Sequence, residues 1–140
     1  MVIDLIVLLG LLVCSWTDLR ERKIYISVIA LDTALLFAAQ IFGGSFSSVV
    51  AASGFCIGIM FLFLYILTGG QIGAGDALLF AVVAFAKQGI GLVYCILFTF
   101  ILLFGTAILL MAFKRAGMKT QLPVAPFLLV SYALMCWVKP

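Results

Sequence analysis

The sequence has no histidine, three prolines, and only eight basic and five acidic residues in 140. Without histidine, neither a Ser-His-Asp nor a Cys-His catalytic system is available. Charged residues make up 9% of the chain, against about 25% in a soluble domain. The four cysteines, Cys14, Cys56, Cys95 and Cys136, stand far apart, and none belongs to a Cys-x-x-Cys pair. They read as small apolar packing residues rather than redox groups or metal ligands. No metal and no organic cofactor is expected. The net charge of +3 comes without a basic cluster interleaved with aromatics, so nucleic acid is not an expected partner.

What the chain does have is hydrophobic residues, at 67% with a mean hydropathy of +1.41. Such a composition cannot cover a water-facing surface. The expectation is an all-α membrane protein, a single domain over 1–140 built as a six-transmembrane-helix bundle. The apolar runs are 2–17, 24–42, 46–68, 76–86, 90–113 and 122–138. Arg20, Arg22 and Lys23 follow the first run and no positive charge precedes it. A cleavable signal peptide has the reverse order, so a retained helix is expected. Gly54 and Gly58 in the third run form a small-residue face for close helix packing. Trp137 reads as an interfacial anchor.

The fourth run is short. Its 11 residues would rise about 16 Å, against a hydrocarbon core of about 30 Å. It follows a glycine-dense stretch, Gly69-Gly70-Gln71-Ile72-Gly73-Ala74-Gly75-Asp76. A glycine-rich re-entrant segment before the fourth helix reconciles the two, since irregular backbone is tolerated at membrane depth where protein encloses it. Asp76 would then begin a helix below the interface. An acid beside lipid-grade sequence costs about 2.5–3.5 kcal/mol to insert and is functional by default.

Six spans put the loops after the first, third and fifth on one side. That side holds Arg20, Arg22, Lys23, Lys114, Arg115 and Lys119, whereas the other holds Lys87 and Lys139. The positive-inside rule makes the first side cytosolic and places both termini outside. Asp18, opening the loop after the first run, and Asp76 share the cytosolic side. Two neighbouring carboxylates cannot both ionise cheaply and so share one proton. The ionised member can take a proton from an attacking water while the other donates to an amide oxygen. That is the chemistry of an aspartyl hydrolase.

Asp18-x-Arg20 followed by Ile24 resembles the first motif of the type IV prepilin peptidases. Gly73-Ala74-Gly75-Asp76 matches their Gly-x-Gly-Asp motif, and Leu122-Pro123-Val124-Ala125-Pro126-Phe127 resembles the start of their last helix. The likeness covers nearly the whole chain in order and spacing. It implies a six-helix aspartyl protease of the bacterial cytoplasmic membrane, which cuts the basic leader from prepilin-like precursors at the cytosolic face. By motif match, Asp18 and Asp76 are the catalytic pair, with Arg20, Gly73 and Gly75 as motif residues. The similarity is to small members that lack the cysteine-rich insert, because loop 18–23 is too short to hold it. N-methyl transfer is therefore not implied. The sequence departs from the family at Tyr25-Ile26, where Pro-Asn is frequent, and at Leu78, where Lys is frequent. Presenilin-like proteases share Gly-x-Gly-Asp, but Trp16-Thr17-Asp18 does not match their Tyr-Asp motif.

Plainer roles stand beside these. Asp76 could cap a helix, and Asp18 could be a loop acid paired with Arg20, Arg22 or Lys23. Asp32, about 12 Å into the second run at helical rise, could be a third active-site acid, a proton-path residue or a protonated structural carboxyl bonded across helices, of which the structural role is preferred. Asp4 reads as interfacial. Pro123 and Pro126 suit a helix start. The rival function is a small proton-coupled transporter or channel lined by Asp18, Asp32 and Asp76, with the glycines breaking a helix. A non-catalytic subunit using the Gly54/Gly58 face is the third.

Overall fold

The computed structural model describes residues 2–21, 24–44, 47–69, 73–87, 89–113 and 123–137. They form six helices: α1 (Val2–Glu21), α2 (Ile26–Phe42), α3 (Ser48–Leu67), α4 (Ala74–Ala86), α5 (Gly89–Ala112) and α6 (Ala125–Trp137). No strand occurs among the described residues. By length and composition, α1 and α5 are apolar enough to cross a membrane, whereas α2, α4 and α6 are apolar but shorter. Gly70, Gln71 and Ile72, at the centre of the expected re-entrant dip, lie outside the described residues. So do Arg22, Lys23, Lys114, Arg115, Lys119 and Lys139, on which the expected orientation rests.

α4 is the hub. It packs against each of the other five helices, while α2, α1, α6 and α5 follow one another as packed neighbours. Among the described residues, the backbone of α3 packs against α4 alone. The sequence of α4 explains its place. Ala-Gly-Asp-Ala-Leu-Leu-Phe-Ala-Val-Val-Ala-Phe-Ala has no polar face, and a helix apolar all round must be enclosed. Ala77 and every residue from Leu79 to Ala84 are buried. Small residues let α3 come close. A Cβ on Gly54 would stand 2.6 Å from the Phe85 ring, and one on Gly58 would stand 3.1 Å from Ala81 Cβ. Above this contact the rings of Phe61, Phe80 and Phe100 stack nearly parallel, joining α3, α4 and α5 at centroid distances of 4.4 and 5.8 Å.

The last carbonyls of this 13-residue helix have no partner within it and must find donors elsewhere. Side chains from two neighbours supply them. Gln40 of α2 donates Nε2–H to the Phe85 carbonyl at 2.7 Å, and Ser53 of α3 donates its hydroxyl to that of Ala84 at 3.5 Å. Outside the core the surface is apolar. Leu5, Leu9, Leu12, Trp16 and Leu19 stand out from α1, as do Phe55 and Phe63 from α3 and Phe104 from α5. Such a surface suits hydrocarbon rather than water.

One boundary differs from expectation in a way that matters. α1 does not stop at Thr17 but continues through Asp18 to Glu21. Asp18 thus lies on the last turns of the helix rather than in a loop. It continues the buried stripe Val7, Leu11, Cys14, whose spacing of four, three and four residues keeps one helix face. Arg20 in the final turn suits the negative end of the helix dipole.

Candidate functional site

Asp18 is 7% exposed, and its carboxylate faces the start of α6. Oδ2 accepts the backbone N–H of Ala125 at 3.3 Å, and the amide of Val124 also donates to this carboxylate. The first N–H groups of a helix have no internal partner, and Pro126 in this turn has no N–H to offer. Asp18 therefore caps α6 from a different helix. No sequence rule for local caps would find that bond, which joins positions 107 residues apart.

Asp76 occupies the third position of α4, after the N-cap Gly73. Its own N–H donates to the Gly73 carbonyl at 3.0 Å. Its carboxylate folds back over Gly73 and accepts that residue's N–H. This is the reciprocal half of a capping box, made without an N-cap side chain. The bare Gly73 leaves room for it, since a Cβ there would stand 3.0 Å from Asp76 Oδ2. Gly75 has a different duty. A Cβ on it would lie 2.8 Å from Ile24 Cβ. Its absence lets the segment leading into α2 settle on the first turn of α4.

Asp18 and Asp76 lie within reach of each other's charge. Each sits at a helix N-terminus, Asp18 at that of α6 and Asp76 at that of α4. The partial positive charge at both ends favours a negative charge between them. Arg20 is exposed.

Asp32 stands apart. It is 8% exposed and pressed against Gly10 of α1, where a Cβ would be 2.2 Å from its Oδ2. The expected bond across helices is not there: no hydrogen-bond donor among the described residues meets it. Gly10 and Asp18 are eight residues apart on α1, about 12 Å along the axis. Cys14, between them, is within electrostatic reach of both acids.

Asp4 is not merely interfacial. Lys87 Nζ pairs with its Oδ1 at 2.9 Å, and the Tyr132 hydroxyl donates to the same oxygen at 3.2 Å. The Cys136 thiol donates there too, at 3.7 Å, and Lys87 Nζ stands 5.4 Å from the centre of the Tyr132 ring. Burial disfavours the Lys87 cation, but the bond to Asp4 outweighs it and holds Lys87 above its ordinary value. Sequence reasoning gave Lys87 a topological meaning only. The available signal was that an acid opens the first run and a base closes the fourth, on the same side of an alternating bundle.

Among the described residues, no three His, Cys, Asp or Glu side chains gather as a metal site requires. What the site holds is two carboxyl groups whose charges influence each other. No family model matches the chain, and neither a curated protein nor a solved structure does.

Proposed function

We propose that the chain is a membrane-embedded aspartyl endopeptidase of the prepilin-processing kind. The observation that supports this is that Asp18 and Asp76, at the N-termini of α6 and α4, stand within electrostatic reach of one another. One acid ionised and one protonated is the resting state such a pair favours. The carboxylate takes a proton as water adds to the scissile carbonyl carbon, and the other acid protonates the carbonyl oxygen. The tetrahedral adduct then collapses, the C–N bond breaks, and a proton passes to the leaving nitrogen.

On this proposal the six helices form a six-span bundle in the bacterial cytoplasmic membrane, with segment 69–75 dipping into it and both acids at the cytosolic side. The substrate is a prepilin-like precursor whose apolar helix lies in the lipid beside the site. The transporter alternative draws less support. Asp32 abuts Gly10 about 12 Å from the level of Asp18 and does not join the other two acids.

The test is co-expression of the chain with pilin precursors, followed by the shift in precursor size on leader removal. Asp18→Asn and Asp76→Asn should each abolish the shift at normal protein level. Full processing by either variant would overturn the proposal.

A further inference from the structure

The three helices that build the acid site at one end are tied together again at the other. α1 carries Asp18 and Asp4, α4 carries Asp76 and is closed by Lys87, and α6 carries the capped Ala125 amide and Tyr132. The lengths fit. Asp4 and Asp18 are 14 residues apart, about 21 Å of helix, while Asp76 and Lys87 are 11 apart, about 16 Å. The short helix ends about 5 Å below the level of Asp4, and the four-carbon lysine stem covers the difference. We propose that the Asp4–Lys87 pair, seated on Tyr132, is a clamp that sets the axial register of α4 against α1 and α6, which makes Lys87 a positioning residue for Asp76. This rests on the dyad being the hydrolytic centre.

Packed helices can slide past one another by small shear movements. α4 is the shortest route by which a shift at one end reaches the other: Gln40 and Ser53 bond it to α2 and α3, but they do not tie it to α1 or α6. The Asp18–Ala125 bond fixes α6 to α1, but it does not fix α4. Lys87 supplies that missing coordinate. Its partner is shared by a hydroxyl and a thiol, so the acceptor oxygen is itself held in place.

The experiment uses the full chain in membranes with its four cysteines changed to serine. Asp18→Cys with Asp76→Cys is joined by a short thiol-reactive cross-linker, and the yield reports the approach of the two positions without any need for activity. Lys87→Met should lower that yield severalfold, and the exchanged pair Asp4→Lys with Lys87→Asp should restore it. In the chain with both acids present, the same changes should lower and restore kcat for leader removal while KM stays put. Unchanged yield and kcat in Lys87→Met would overturn the clamp. So would a loss of folded protein with normal cross-linking in what remains. If the unaltered chain cleaves no precursor while cross-linking still follows Lys87, the peptidase fails and the clamp stands.

Discussion

Asp18 has two separable duties, and a pair of substitutions can part them. Its carboxylate accepts two amides at the start of α6, and its charge acts on Asp76. Asn keeps an oxygen that can still accept but cannot exchange a proton. Leu has similar bulk and neither ability. Leaving two amides unpaired, that of buried Ala125 among them, costs about 1–3 kcal/mol each, so Asp18→Leu should lose about 2–6 kcal/mol of stability. In Asp18→Asn, neutral bonds replace charge-assisted ones, a loss offset by no longer burying a charge; the net change should be within about 1 kcal/mol. The assay is denaturant unfolding in mild detergent beside leader cleavage in membranes. Asp18→Asn should fold like the parent and cut nothing, while Asp18→Leu should be both inert and less stable. If the two destabilise equally, and cleavage merely follows the folded fraction, then Asp18 is a cap and the dyad is wrong.

Gly75→Ala should weaken the site, because overpacking against Ile24 costs about 1–3 kcal/mol while the helix gains about 0.5–1. Relief should come from adding Ile24→Gly and much less from Ile24→Ala, since the nearest atom is Ile24 Cβ itself; unfolding midpoints and cleavage rates of the double variants read this. Gly105→Ala is the contrast, with no atom within 4 Å of the new Cβ, and should leave both readouts unchanged or improve stability by up to about 1 kcal/mol. Gln40→Leu strips the donor from the Phe85 carbonyl and should cost about 1–3 kcal/mol by the same unfolding assay. Asp32→Asn should keep full processing, and loss of cleavage in it would bring Asp32 into the chemistry. Lys87 titrates above its ordinary 10.5. Its contribution is therefore complete below that value and fades only as pH rises through the raised one, so the ratio of cross-linking yield between Lys87→Met and the parent, which cancels the thiols' own titration, should be flat up to about pH 10.

The helical class was legible because hydrophobicity of this degree leaves few alternatives, and the breaks between runs coincide with glycines and charges. The shortness of α4 was also legible. Its centrality was not, since nothing local distinguishes an apolar helix facing lipid from one facing protein. The helical state of Asp18 was obscured by the charges around it, which read as a loop although Leu19, Arg20 and Glu21 are adequate helix formers. The two motif glycines were visible as a pattern, but their different reasons, room for a carboxylate at Gly73 and room for Ile24 at Gly75, need coordinates. The Asp4–Lys87 and Asp18–Ala125 bonds span 83 and 107 positions, and pairings that distant are set by packing rather than by any local rule.

The vertical separation of the two charged levels has an effect on the surroundings. If the bundle spans a bilayer as proposed, then with Asp4 and Asp18 about 21 Å apart along α1 and a hydrocarbon layer of about 30 Å, lipid next to α1, α4 and α6 must compress or admit water. Leaflets pinched in this way would carry headgroups down toward the carboxylates. On the proposed peptidase reading, a peptide bond lying at the membrane surface would then have a shorter and wetter descent to make, and the bilayer itself would help deliver the substrate.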